Sequence, residues 1–291
     1  SINNNVTTTG AQTFTGPLSI TNSPDLTTTN SAVSFSSTID GNTDLTVSAG
    51  NGDVTLSGIV GGSTQPSGIS LTGGTLNLNA DVTTASGGQT YNSSTATNLG
   101  GSLTINTSGA FTFSGAGALT LTGNAGLTTP GGGSDDITLN AVTADTDNTH
   151  DLTLNAGAAG GVILNGDLGA VSTSLENFNV TANDFIINTA GVEVFANNIS
   201  IAADSMALDA AGTEQLKGSG ALILKPRQIS TTIGLAGGAG AFNLDASELA
   251  NITDGFASIT IGSSTQTGNI TANAHTFTDP VSIIQDTSGG G

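Results

Sequence analysis

The chain has 291 residues and a formal net charge of −19, with 3 Lys+Arg against 22 Asp+Glu, 42 Gly, no Cys and no Trp. So few cations exclude a protein that replaces phosphate counterions on nucleic acid or is drawn to an anionic bilayer, and the lack of Cys excludes thiolate–metal, iron–sulfur and disulfide chemistry. No run of 18 apolar residues offers a membrane-spanning helix, and 36% hydrophobic residues with only 9% charged ones fit neither a disordered chain nor a Lys/Arg-decorated helical enzyme.

The recurring signal along the chain is an apolar–polar–apolar triplet. It occurs at Leu45-Thr46-Val47, Val54-Thr55-Leu56, Leu76-Asn77-Leu78, Leu103-Thr104-Ile105, Phe111-Thr112-Phe113 and Leu119-Thr120-Leu121, and again at Ile137-Thr138-Leu139, Leu152-Thr153-Leu154 and Ile259-Thr260-Ile261. Period-two alternation predicts short strands with the apolar pair on one face and the Thr on the other. Gly, Asn, Asp and Ser between the triplets are corner residues. From 178 to 208 the spacing is strict: Phe178/Val180, Phe185/Ile187, Val192/Val194, Ile199/Ile201 and Met206/Leu208 each begin seven residues after the last. A coiled-coil heptad is excluded, because residues i and i+2 do not share a helix face.

Seven residues read instead as one strand and one corner. Three sides give a roughly triangular turn of about 21 residues, stacked as a parallel β-solenoid in which neighbouring turns bury one another. The expected fold is all-β, a single continuous parallel β-helix over 1–291. It has about 14 turns at about 4.8 Å each, a length of about 65–70 Å. Two places interrupt it. Residues 130–135 read as a loop leaving the coil. Residues 245–252 read either as one helical turn, with Asp245 and Glu248 spaced as a capping box, or as an irregular loop.

Longer repeats overlie the turns. Val6-Thr7-Thr8-Thr9-Gly10-Ala11-Gln12-Thr13-Phe14 returns loosely from Val82 to Tyr91 and again from Ile270 to Phe277. Thr13-Phe14-Thr15-Gly16-Pro17-Leu18-Ser19-Ile20 matches Thr276-Phe277-Thr278-Asp279-Pro280-Val281-Ser282-Ile283, 263 residues later. This predicts one segment of a longer tandem array, an expectation with which Ser1 and Gly289-Gly290-Gly291 at the two ends agree. Val6-Thr7-Thr8-Thr9-Gly10-Ala11-Gln12-Thr13-Phe14, Leu26-Thr27-Thr28-Thr29-Asn30-Ser31-Ala32-Val33-Ser34-Phe35 and Asp44-Leu45-Thr46-Val47-Ser48-Ala49-Gly50, with Thr232-Ile233-Gly234-Leu235-Ala236-Gly237-Gly238, Glu248-Leu249-Ala250-Asn251-Ile252-Thr253-Asp254-Gly255-Phe256 and Ser258-Ile259-Thr260-Ile261-Gly262, resemble the repeats of filamentous-haemagglutinin-like, β-strand-repeat giant bacterial exoproteins. The resemblance implies secretion, a right-handed β-helix and a surface adhesive or fibre role. It carries over no catalytic residue.

Among candidate sites, Asp135, Asp136, Asp145, Asp147 and Asp151 are the Ca2+ candidates, because Ca2+ takes six to eight hard oxygen ligands; the other reading is solvated turn aspartates. Lys217, Lys225 and Arg227 fall within eleven residues and are the chain's only Lys and Arg. They read as a contact for an acidic partner or a neighbouring copy, or as a solvated face. His150 and His275 lack the spacing of a zinc pair. Ile163, Ile186 and Ile223 sit mid-triplet where Thr is usual, awaiting cover from a partner or a loop. The outward Thr residues suggest an ice-binding ladder, but after 178 the central positions become Asn179, Ile186, Glu193, Ser200 and Ala207, so the ladder is not sustained. A polysaccharide-active enzyme is the remaining alternative.

The expected function is therefore non-enzymatic. The chain is read as a secreted, cell-surface structural and adhesive protein that stacks end to end, by covalent continuation or self-association, with surface glycans or other cells as further partners. No cofactor other than Ca2+ is expected.

Overall fold

The structure is a computed structural model that describes residues 1–133, 135–208 and 214–286. The chain divides into two compact units, Ser1–Asp135 and Asp136–Gly291. Every strand pair within each unit is parallel, and the described residues coil through about 12 turns of β-solenoid.

In the first unit the register repeats every 20 to 24 residues. Val6 pairs with Leu26, Asp25–Thr28 with Leu45–Ser48, and Leu45–Ser48 with the ten-residue strand Ile69–Leu78. On a second side Gln12–Phe14, Val33–Phe35, Val54–Leu56 and the end of Ile69–Leu78 follow one another. A third side carries Leu18–Ile20 on Ile39–Gly41 and Val82–Thr84 on Leu103–Ile105. The second unit begins with longer turns: Ile137 pairs with Val162 and Leu152 with Phe178, steps of 25 and 26 residues. It tightens through the long strands Leu175–Ile187 and Val194–Ala207, where Phe178 meets Ile199. Several turns thus exceed the expected 21 residues, and this is why the described residues make about 12 turns where about 14 were expected.

The inward residues are those the triplets name. Leu45, Val47, Val54, Leu56, Leu76, Leu78, Leu152 and Leu154 are at most 1% exposed, while the central Thr46, Thr55 and Asn77 are half-buried on the outer face. In-register stacking sets like residues about 4.8 Å apart, so inward rings stack. Phe14 and Phe35 lie 4.9 Å apart at 9°, and Tyr91 and Phe113 5.5 Å apart at 19°. Glycine is obligatory where a corner touches the next turn. Gly61 has φ +77°, and a Cβ there would strike the Thr83 carbonyl.

One turn departs from the rest. Leu222 pairs with Ile259, a step of 37 residues. The extra chain holds the strands Ile233–Leu235 and Phe242–Leu244, and the helix Ala246–Leu249. Both arms of the capping box form: Asp245 accepts from the Ser247 and Glu248 amides, and Glu248 accepts from the Asp245 amide. The helical turn is therefore real, but it stops at Leu249, short of residue 252. Near 130–135, Asp135 accepts from the Gly132 amide at 2.6 Å and its carbonyl accepts from the Thr129 hydroxyl at 2.7 Å. No strand lies over 130–133, and Ser134, like Gly289–Gly291, lies outside the described residues.

The repeated Gln is a clasp between turns. Gln12 Nε2 donates to the carbonyls of Val6 and, on the next turn, Thr27; Gln89 Nε2 donates to Val82 and Thr104 in the same way. Gln89 Oε1 accepts from the Tyr91 hydroxyl at 2.9 Å. At the first copy Phe14 stands in place of Tyr91, and Gln12 Oε1 is buried with no hydrogen-bond partner. An unmet buried acceptor costs stability. We predict that Phe14→Tyr stabilises the chain by about 1 kcal/mol and that Tyr91→Phe destabilises it by about 1–2 kcal/mol. Urea unfolding of both variants checks this, and equal midpoints for all three proteins would remove the clasp.

Candidate functional site

Each of the five candidate aspartates is engaged in a bond of its own. Asp135 turns back on Gly132. Asp136 accepts from the Gly161 amide at 2.7 Å, and Asp151 from the Asn177 side chain at 2.6 Å. Asp147 accepts from the amide and hydroxyl of Ser174 at 2.9 and 2.6 Å, and Asp145 pairs with His150 Nε2 at 2.7 Å. Among the described residues, no three His, Asp or Glu side chains gather as a metal-holding group.

Two of these, Asp136 and Asp147, belong to a wider pattern that reading the sequence for sites had missed. Carboxylates at the corners accept the backbone N–H of the adjoining turn. Asp40 takes Ser63 and Thr64, Asp53 takes Thr75, Asp81 takes Ser102, Asp167 takes Glu193 and Asp204 takes Gln228, all at 2.8–3.0 Å. Asp279 takes Gly255 and Phe256 on the preceding turn. A corner amide has left the strand ladder, and an unpaired amide is costly, so a short anionic acceptor one turn away satisfies it. This explains why 18 of the 22 acidic residues are Asp and only four are Glu. The signal was present in the sequence: Asp53, Asp81, Asp136 and Asp167 each directly precede an inward apolar residue. A side-chain ladder runs beside them, from Asp151 to Asn177 to Asn198 and on to the Ala221 amide.

The cations are largely spent inside the chain. Lys217 pairs with Glu193 at 2.8 Å and Glu214 at 3.7 Å, and lies 5.3 Å above the Phe195 ring. Arg227 pairs with Asp204 at 2.6 Å and donates to the Ala158 carbonyl at 3.1 Å, tying together separate turns. Lys225 forms no ion pair among the described residues, so two of the three cations have acidic partners within the chain. Ile163 and Ile186 are in-register neighbours and Ile186 adjoins Ala207, so this column partly covers itself; Ile223 stands between Ser200 and Thr260. The outer columns mix residue types, as in Thr13, Ser34, Thr55, Asn77, Asn98 and Thr120. No helix among the described residues is long and apolar enough to cross a membrane.

Two surfaces stand out. The first is a cleft of about 210 Å³ around Phe195, an aromatic on an outward strand position, bordered by Asn148, Ser174, Lys217, Ser219 and the 84%-exposed Val171. The second is the turn carried by Val281–Ile284. That strand pairs in register with Ser258–Gly262, so Val281 and Ile283 continue the inward column of Ile259 and Ile261. Yet Val281 and Ile283 are 39% and 46% exposed, while Ile259 and Ile261 are 2% and 0% exposed. His275, Thr276 and Phe277 precede it and border a cavity of about 260 Å³ over Leu249–Asp254. The matching residues Leu18 and Ile20, in a turn that has a following neighbour, are 8% and 0% exposed. No family model, curated protein or solved structure matches the chain.

The acidic corners also make a pH prediction. Asp147 is held below the ordinary carboxylate range by the Ser174 hydroxyl and then its amide, Asp145 by the His150 ring, and Asp245 by the Ser247 hydroxyl. A carboxyl depressed in the folded state contributes stability above its unfolded value and loses it as pH falls through its folded value. Glu248 is pushed up, chiefly by burial, and has the opposite sign: its contribution is present at low pH and is lost as pH rises to its folded value. We predict that stability declines as pH drops below about 4, the unfolded Asp value, and that Asp147→Asn lowers stability at neutral pH and flattens this decline, the two curves converging in acid. Superimposable pH–stability curves for the two proteins would count against the role given to Asp147.

Proposed function

We propose that the chain is a non-enzymatic, structural and adhesive β-solenoid of a secreted bacterial surface fibre, working by end-to-end stacking of its turns. The observation that carries this reading is the exposed Val281/Ile283 column on an otherwise in-register turn. An outer parallel strand presents both unpaired backbone groups and the apolar positions that a next turn covers. The next turn comes either from the same polypeptide or from another copy. The resemblance of the repeat blocks to filamentous-haemagglutinin-like exoproteins, and the right-handed coil it implies, support the secreted and surface assignment. The adhesive part of the reading, toward surface glycans or other cells, has its candidate in the Phe195 cleft, where an outward ring is surrounded by amide and hydroxyl groups.

Concentrating the purified chain is expected to yield fibres visible by electron microscopy. Ile283→Asp is expected to raise the concentration needed by about tenfold or more, the factor that about 1.4 kcal/mol produces, with an unchanged far-ultraviolet β spectrum. Lasting monodispersity of the unaltered chain, with no fibres at any concentration, would overturn self-assembly.

A further inference from the structure

The groups around Phe195 define what its cleft can hold. Phe195 stands on the outer face between the buried Val194 and Ala196. On the following turn Lys217 is its in-register neighbour and lies 5.3 Å above its ring. On the preceding turn the Leu168 carbonyl accepts from the Phe195 amide at 2.7 Å, which sets Gly169 beside it. Gly169 has no side chain to lay on the ring. It is glycine by necessity, with φ +71° and no room for a Cβ against the Phe195 carbonyl.

The wall beyond Gly169 is apolar and fixed. Val171 is 84% exposed, in a tight loop that Ala170 and Thr173 close by exchanging amide–carbonyl bonds of 3.3 and 3.1 Å. An aliphatic side chain held in solvent beside an outward ring marks a contact surface.

The polar groups of the cleft are biased toward donors. Asn148 Oδ1 accepts from the Ser174 hydroxyl at 2.9 Å, and Asn197 Oδ1 accepts from the Ser219 hydroxyl at 2.7 Å. Asn197 Nδ2 meets no acceptor among the described residues, and Asn148 Nδ2 makes only a long bond of 3.5 Å to Asp147. A plain sugar's hydroxyls must donate as well as accept, and the side-chain carbonyls here are already engaged. A ligand carbonyl, which only accepts, suits this rim. Charge narrows the ligand further. Lys217 already faces Glu193 at 2.8 Å and Glu214 at 3.7 Å, and Asp147 lies behind Ser174. Acids outnumber the cation, so an anionic ligand is repelled.

We infer that the cleft takes the acetamido group of a neutral N-acetylhexosamine, its methyl against Val171 and Phe195 and its carbonyl accepting from Asn197 Nδ2. The cleft volume of about 210 Å³ lies below the roughly 300 Å³ at which drug-sized pockets begin, which suits one sugar residue of a glycan. This rests on the adhesive part of the proposed function and adds the ligand and its contacts.

Saturation-transfer NMR on the purified chain tests this, with N-acetylglucosamine, N-acetylgalactosamine, glucose, acetamide and N-acetylneuraminic acid as probes. One or both N-acetylhexosamines are expected to bind about tenfold or more tightly than the other three, with saturation strongest at the acetyl methyl. Asn197→Asp keeps the acceptor for Ser219 and removes the donor, and Phe195→Ala removes the ring. Each is expected to weaken binding by about tenfold, with unchanged circular dichroism. Val171→Ser, at an exposed loop position, is expected to weaken it severalfold and stands in for either variant that misfolds. Glucose, acetamide or the anionic sugar binding as tightly as the N-acetylhexosamines would overturn the ligand. Full affinity in all the folded variants would overturn the site. A chain that binds none of the probes yet adheres to cells would overturn this inference and leave adhesion standing. One that neither binds them nor adheres would overturn both.

Discussion

Everything in this molecule follows from one constraint: a turn of twenty-odd residues cannot bury its own inward side chains. Leu45 and Val47 are fully buried because Leu26 lies on one side of them and Ile69 and Leu71 on the other. The hydrophobic contribution of each turn therefore exists only in the presence of its neighbours. Parallel, in-register pairing is the geometry that lines up like with like, and it places the same demand on polar groups. Wherever the chain leaves the ladder to turn a corner, its amide must find an acceptor on the adjoining turn. The corner aspartates fill that place, and so the large negative charge is a by-product of satisfying backbone amides. The three cations fit the same account: Lys217 and Arg227 are absorbed by Glu193 and Asp204, acids from other turns.

How much of this the sequence disclosed depends on the range of the interaction. Strand position and inward face were legible at Leu45-Thr46-Val47, Val54-Thr55-Leu56 and Leu76-Asn77-Leu78, because alternation is local and the two faces see different surroundings. Leu152-Thr153-Leu154 is buried, exposed, buried, as period two requires. The capping box at Asp245 and Glu248 was legible for the same reason. Turn length was legible only on average. The seven-residue spacing from 178 to 208 fits the 21-residue step from Phe178 to Ile199. The 37-residue step from Leu222 to Ile259 was hidden, since nothing local marks where an insertion ends and the coil resumes. Site residues were least legible. Asp136 and Asp147 looked like a cluster because they are close in sequence, but their partners Gly161 and Ser174 are 25 and 27 residues away.

The end turn completes this argument. Leu18-Ser19-Ile20 and Val281-Ser282-Ile283 are nearly the same residues in the same local conformation, and one pair is buried while the other is exposed. Exposure here is therefore a property of position in the stack. The residues themselves do not encode it. A solenoid that ends its stack usually covers the last turn with a polar cap, and Val281 and Ile283 are the reverse of a polar cap. Their chemistry is that of an interior turn, the same as that of Ile259 and Ile261 with which they stand in register.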